Sequence, residues 1–226
     1  VTIAHLWTAC IKTRADVAVG DFLRFSTQEV PQERRSLASE SFGTEEALRR
    51  MLMNEGFGHQ AWGKLFNRQL WSVLRFPKCL LYEDSAVIYD VMLGASKVAK
   101  VSDALYFYRM QEGSIMHSSI GEKNLSLLDT SARVTQMLPE HYPALRGPAV
   151  RLQVVTWLRF LSDMLETDYK LFPDVQKRII DTLKSYRKEF LGMKDVRKVD
   201  KLKFRALMRG KWLFYLMYRA SDAKKK

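Results

Sequence analysis

The first part of the chain changes from a helical to an extended spacing of apolar residues. Residues 2–12 carry apolar side chains at intervals of three and four, which predicts a helix. Residues 16–25 are rich in β-branched and aromatic side chains and predict a strand. Residues 28–41 are polar and contain a proline, so they are predicted to form a loop.

Helical spacing returns after this loop. Thr44 is predicted to cap a helix whose first turn contains Glu45 and Glu46. Residues 61–70 are predicted to be a second helix, because their large apolar side chains recur at intervals of three and four.

The spacing of apolar residues then changes once more from helical to extended, and after that it is helical throughout. Residues 83–94 predict a helix with one apolar side, and residues 97–108 predict a strand or hairpin. Beyond Gly121 all segments read as helical, namely residues 124–138, 149–165, 173–190 and 199–218. The chain therefore predicts an α/β domain over residues 1–119 and an all-helical extension over residues 120–226.

Charge is distributed very unevenly along the chain. Residues 170–226 contain 18 Lys and Arg residues against 6 Asp and Glu residues, so they account for the whole net charge of +12. The remainder of the chain is neutral, which argues for a basic tail rather than a uniformly basic protein. No apolar run is long enough to span a bilayer, and the chain opens as if within a helix, which suggests part of a longer protein.

Cysteine and histidine give no metal signature. Cys10 and Cys79 lie far apart and are read as reduced thiols, and the four histidines are scattered without a known ligand spacing. No metal-ligating residue is therefore predicted in this chain.

The acidic pair Glu83-Asp84 is the strongest candidate for chemistry. Two carboxylates at a helix start are favoured by its unpaired amide donors and its positive dipole end. Asp84 is therefore interpreted in two ways, as a simple N-cap or as a general base in a cleft beside Tyr82 and Leu81.

Several segments resemble, in their order and spacing, glycosyltransferase family 2, particularly bacterial members that build cell-surface polysaccharides. They are Trp62-Gly63-Lys64-Leu65, Phe76-Pro77, Tyr82-Glu83-Asp84, Leu105-Tyr106-Phe107-Tyr108-Arg109 and Gly113-Ser114-Ile115-Met116. The resemblance covers residues 1–119 and implies the C-terminal part of a GT-A, Rossmann-like catalytic domain. It also implies sugar transfer with inversion from a nucleotide-sugar to a glycan or lipid-linked acceptor.

The same resemblance implies roles for individual residues. Asp84 becomes the candidate catalytic base, and Glu83 orients the acceptor or holds the helix start. Lys64 is either a solvated lysine or a contact to the acceptor or Asp84, and Trp62 is either a core residue or a platform for a sugar. Arg109 and Ser114 match a segment that could cover the donor diphosphate, although Arg109 at a strand end could equally be a solvated side chain.

Two parts of such an enzyme are missing from the sequence. Family members carry a donor site and an Asp-x-Asp run that holds a divalent cation, Mg or Mn, and nothing before Asp84 provides either. The resemblance therefore implies that this cation belongs to the full-length enzyme and that the present chain is inactive alone.

The basic tail leaves two classes of function open. Residues 194–218 combine cations with the apolar run Trp212-Leu213-Phe214-Tyr215-Leu216-Met217-Tyr218, which fits a helix in the interface of an anionic membrane, on the cytoplasmic face of the cell membrane. The other reading of the tail is a helix packed on the body. The alternative to an enzyme is a non-enzymatic module whose basic helix binds membrane or nucleic acid, although no nucleic-acid-binding motif is present.

Overall fold

A computed structural model describes residues 2–26, 39–78, 80–110 and 120–222. The chain divides into two compact units, Val1–Ser118 and Ser119–Lys226. The first unit is mixed α/β and the second is helical. The general α/β class with a helical C-terminal part is thereby confirmed, whereas the GT-A identity of the first unit stays a prediction.

The first unit is built on a mixed four-stranded sheet. Its strands are β1 (Val17–Phe25), β2 (Ser39–Gly43), β3 (Lys64–Phe66) and β4 (Lys97–Arg109), in the order β2-β4-β1-β3. The central strands β1 and β4 are parallel, whereas the edge strands β2 and β3 run antiparallel to their neighbours. A parallel central pair requires a long crossover, which the intervening segments provide.

Three helices accompany this sheet, namely α1 (Thr2–Thr13), α2 (Thr44–Met53) and α3 (Glu83–Leu93). Helix α1 buries Leu6 and Ala9 against Ala18 and Ala99 of the central strands. Small side chains at this contact allow the helix to approach the sheet closely. The predicted helices near residues 2–12 and 83–94 and the predicted strands near residues 16–25 and 97–108 are therefore confirmed.

Three local predictions in the first unit are wrong. The helix expected over residues 61–70 is a turn, the short strand β3 and a single 3₁₀ turn at Arg68–Trp71, because β3 pairs with β1. The cap of α2 is Gly43, and the Thr44 hydroxyl instead donates a hydrogen bond to the carbonyl of Ala95. The end of the predicted loop forms β2, while residues 27–38 lie outside the described part.

The second unit contains a bundle of helices around one apolar core. They are α4 (Ser126–His141), α5 (Arg146–Thr167), α6 (Pro173–Ser185), α7 (Arg187–Gly192), α8 (Lys198–Arg209) and α9 (Lys211–Asp222). Trp157, Phe204 and Phe214 are almost fully buried in this core. The indole N–H of Trp157 donates to the Ser131 hydroxyl at 2.8 Å, so its polar atom is satisfied.

Both of the long helices predicted at the C-terminus are divided. The first breaks at Tyr186 and the second at Gly210, where the backbone is extended (φ 160°, ψ 144°). Because Phe204 and Phe214 lie on either side of Gly210 and both enter the core, α8 and α9 belong to the bundle. Within the described residues, no helix combines the length and apolar character needed to cross a membrane.

Candidate active site at the start of helix α3

Asp84 lies in the first turn of α3 and is half-buried, whereas its neighbour Glu83 is exposed. The N-cap residue is Tyr82, which has a left-handed backbone (φ 62°, ψ 39°). The interpretation of Asp84 as the N-cap is therefore wrong. Its Oδ1 nevertheless accepts a hydrogen bond from the backbone N–H of Ser85 at 2.7 Å, so the carboxylate satisfies an amide of the helix start.

Two basic side chains interact electrostatically with this carboxylate. Burial lowers the pKa of Lys64 to about 8, against the opposing effect of Asp84. Burial also lowers the pKa of His59, an effect that Asp84 opposes and Lys64 reinforces. His59 is consequently neutral near neutral pH, while Lys64 remains a cation that can release its proton more easily than an exposed lysine.

The backbone holds Lys64 in place. It is the first residue of β3, its register partner in β1 is Val19, and its ammonium donates a hydrogen bond to the carbonyl of Gln60. Of the two readings of Lys64 from sequence, the solvated lysine is therefore wrong, because the side chain is half-buried and hydrogen-bonded.

A buried face of α3 adjoins the carboxylate. The hydroxyls of Ser85 and Tyr89, one turn apart, are buried, and neither has a hydrogen-bond partner among the described residues. Burial raises the pKa of the Tyr89 phenol, and Asp84 raises it further. Buried hydroxyls without a hydrogen-bond partner destabilise a folded protein and are uncommon in its core. Two of them next to a carboxylate therefore distinguish this face of α3 from ordinary core packing.

Trp62 belongs to an aromatic cluster on β1 and β4. Its ring stacks on Tyr106 with 4.5 Å between centroids, meets Phe22 edge-on at 4.9 Å and is tilted to Tyr108 at 5.3 Å. All four rings are half-buried, so the cluster is neither a closed core nor an isolated exposed platform. Gly63 next to it has a φ of 72°, a conformation that glycine adopts without strain.

Arg109, unlike Lys64, is not part of the Asp84 cluster in the described part of the chain. Arg109 is exposed at the end of β4, and within the described residues it forms no hydrogen bond or ion pair with Asp84 or Lys64. Ser114 and the rest of Gly113-Ser114-Ile115-Met116 lie outside the described residues.

An ion pair joins the two central strands of the sheet next to the loop before Trp62. Lys100 of β4 is 9% exposed, and its ammonium lies 3.2 Å from a carboxylate oxygen of Asp21 in β1. Its aliphatic chain passes over Gly56, where an added Cβ would lie 2.6 Å from Cε of Lys100. The left-handed backbone of Gly56 (φ 85°) excludes most other residues in addition.

Sequence reasoning did not identify His59 or Tyr89 as members of the site. His59 precedes Lys64 in an irregular loop, and no recognised spacing links it to Asp84. Tyr89 lies five residues after Asp84, and its apolar neighbours make it read as part of the buried stripe. The available signal was a pair of hydroxyls, those of Ser85 and Tyr89, one helical turn apart on a face that is otherwise apolar.

The described residues do not fit a divalent cation. Among them, no group of three or more His, Cys, Asp and Glu side chains is arranged to hold a metal ion.

Comparison with known proteins indicates distant homology to a glycosyltransferase. Glycosyltransferase GlyA of Streptococcus pneumoniae serotype 4 is 27% identical over 168 residues, which cover 68% of the chain and 23% of that protein. The chain thus spans about a quarter of the length of the curated relative that it matches. No protein-family model matches the chain. The chain is therefore similar to one part of a glycosyltransferase.

Proposed function

We propose that this chain is the acceptor-side part of an inverting glycosyltransferase of the family 2 type, acting in cell-surface polysaccharide synthesis. The observation that carries the proposal is the half-buried Asp84 carboxylate at the start of α3, which interacts with both Lys64 and His59. The distant similarity to a glycosyltransferase supports the same reaction class.

In the proposed reaction Asp84 removes the proton of the acceptor hydroxyl. The acceptor oxygen then forms a bond to the anomeric carbon of the donor sugar, and the bond from that carbon to the nucleoside diphosphate breaks on the opposite face. The leaving group takes the bonding electrons, and the proton remains on Asp84. A base on one side and a leaving group on the other give inversion at the anomeric carbon.

Lys64 and His59 are assigned to the environment of the base. The Lys64 ammonium supplies a positive charge that attracts the carboxylate, and the neutral His59 adds hydrogen-bonding capacity without a second charge. Glu83 is exposed next to Asp84 and is proposed to orient the acceptor. The Trp62 cluster offers half-exposed aromatic faces, which suit the apolar faces of a sugar ring.

The donor side of the reaction is assigned to residues outside this sequence. The nucleotide-sugar and a divalent cation, Mg or Mn, would be held there, and Arg109 and Ser114 would approach the donor diphosphate from this chain. The cation would offset the charge of the departing diphosphate. We expect the chain to be inactive without those residues.

The test is Asp84→Asn in a full-length protein that contains this chain. We expect sugar transfer to fall by about 10²–10⁴-fold, the usual contribution of a general base, with an unchanged unfolding midpoint. Glu45→Gln is the matched control, because Glu45 is an exposed acid in the first turn of α2 in the same unit. Normal transfer by Asp84→Asn would refute the base assignment, and absence of transfer by the wild-type protein would favour a non-enzymatic binding module.

A further inference from the structure

Helices α8 and α9 each present an exposed face of mixed cationic and apolar character. The exposed residues of the two helices follow one another at intervals of three and four, apart from Val199. They are Lys198, Val199, Leu202, Arg205, Arg209, Trp212, Leu216 and Arg219. Among the side chains of α8 and α9 that the structure describes, which end at Arg219, no carboxylate is exposed, so these exposed residues carry an uncompensated positive charge.

The core fixes which side of each helix is exposed. Phe204 and Leu207 of α8 and Phe214 of α9 are buried in the second unit. The apolar run at residues 212–218 therefore does not act as a single surface, because Phe214 within it is part of the bundle. Trp212 and Leu216 remain outside, with 64% and 41% of their surface exposed.

The cations of these helices fall into two groups. Lys201 donates hydrogen bonds to the carbonyls of Leu191 and Met193, and Lys211 donates to Gln176 at 2.8 Å. By contrast, Lys198, Arg205 and Arg209 make no ion pair with the described residues. The outward cations are thus available to an external partner, whereas the inward ones stabilise the bundle.

We propose that the exposed face of α8 and α9 binds an anionic lipid surface. The cations match the charge of the headgroups, and the apolar side chains between them would enter the interfacial region, where tryptophan is favoured. The exposed apolar side chains argue against a nucleic acid as the partner, because a phosphate backbone offers little apolar surface to cover Trp212 and Leu202, which is 49% exposed. This proposal is independent of the proposed sugar transfer.

Vesicle sedimentation of the full chain tests the proposal. The vesicles contain phosphatidylcholine alone or with about one-third phosphatidylglycerol, since binding to anionic headgroups should require the second lipid. Arg205→Gln/Arg209→Gln is expected to bind the anionic vesicles about 30-fold more weakly, because each cation near such a surface contributes roughly 1 kcal/mol. Arg187→Gln/Lys188→Gln removes the same charge from exposed positions of α7 and should change binding by less than about threefold.

The apolar contribution is tested separately. Trp212→Ser should weaken binding to the anionic vesicles by about tenfold, since an interfacial tryptophan buries a large apolar area. Trp7→Ser is the matched control, because Trp7 is 58% exposed in the first unit and lies outside this face. Equal effects of the two tryptophan variants, unchanged binding by Arg205→Gln/Arg209→Gln, or tighter binding to a DNA duplex than to the vesicles would each overturn the proposal.

Discussion

Lys64 provides the most direct test of the electrostatics around Asp84. In Lys64→Met the side chain keeps a similar length and loses its charge, so the effect of a half-buried cation is removed. Burial lowers the pKa of this lysine from 10.5 to about 8 in the folded protein. The unfolded chain retains the ordinary value, and the two states therefore bind different numbers of protons between these pH values.

The sign of the effect follows from this difference. Below about pH 8 Lys64 is protonated in both states, and the folded state carries the full cost of the buried charge. As the pH rises towards 10.5, the folded protein releases the proton first, so the free energy of unfolding of the wild type increases. Without solvent screening, each pH unit in this window would add about 1.4 kcal/mol to the free energy of unfolding. Because the side chain is only half-buried, solvent screening reduces the effect, and we expect the free energy of unfolding of the wild type to increase by about 1–2 kcal/mol over this window.

The assay is urea unfolding of wild type and Lys64→Met at about pH 7 and about pH 10. The free energy of unfolding of the variant minus that of the wild type should fall by about 1–2 kcal/mol between the two conditions. Packing of the methionine changes both values equally and does not enter this comparison. Lys12→Met, at an exposed position of α1, controls for the loss of a lysine. A difference that is constant or grows with pH would refute the reasoning.

Four further substitutions test packing, one in the first unit and three in the second. Tyr89→Phe removes a buried hydroxyl that has no hydrogen-bond partner among the described residues, and it should raise the free energy of unfolding by about 1 kcal/mol. By contrast, Tyr186→Phe removes a hydroxyl that donates to Gln153 at 3.2 Å, and it should lower the free energy of unfolding by about 1 kcal/mol. Thermal denaturation measures both changes, and a destabilised Tyr89→Phe would contradict the first prediction. Phe214→Ala should lower the free energy of unfolding by about 3–5 kcal/mol, and exposed Trp212→Ala by less than about 0.5 kcal/mol. Equal losses in urea unfolding would show that α9 does not enter the core.

The elements predicted correctly from sequence have clear patterns and clear ends. Helix α3 follows Pro77 and has one apolar side, and β4 is rich in β-branched and aromatic residues. The error at residues 61–70 has a physical cause. Trp62, Leu65 and Phe66 have helical spacing, but pairing of β3 with β1 and the left-handed Gly63 override it. Local spacing cannot report a strand that is created by a distant partner.

The site was predictable only where its residues are close in sequence or resemble a known motif. Glu83-Asp84 and Lys64 stood out from sequence, and the structure brings Asp84 and Lys64 into one electrostatic cluster, although their catalytic roles stay predictions. His59 joins them through an irregular loop, whose path no periodicity describes. The break at Gly210 was also missed, because the spacing of exposed residues continues across it.

The Lys100–Asp21 pair has a consequence for motion in the first unit. The lysine chain passes over Gly56 and so lies between the loop at residues 54–63 and the sheet. Lifting this loop would expose the aliphatic part of Lys100 to water and would increase the screening of its pair with Asp21, in which the lysine side chain is now only 11% exposed. His59 and Trp62 are carried by the same loop. Packing of the Lys100 side chain on Gly56 therefore restrains the loop that carries both residues, and a side chain at position 56 would strain the backbone and crowd Lys100.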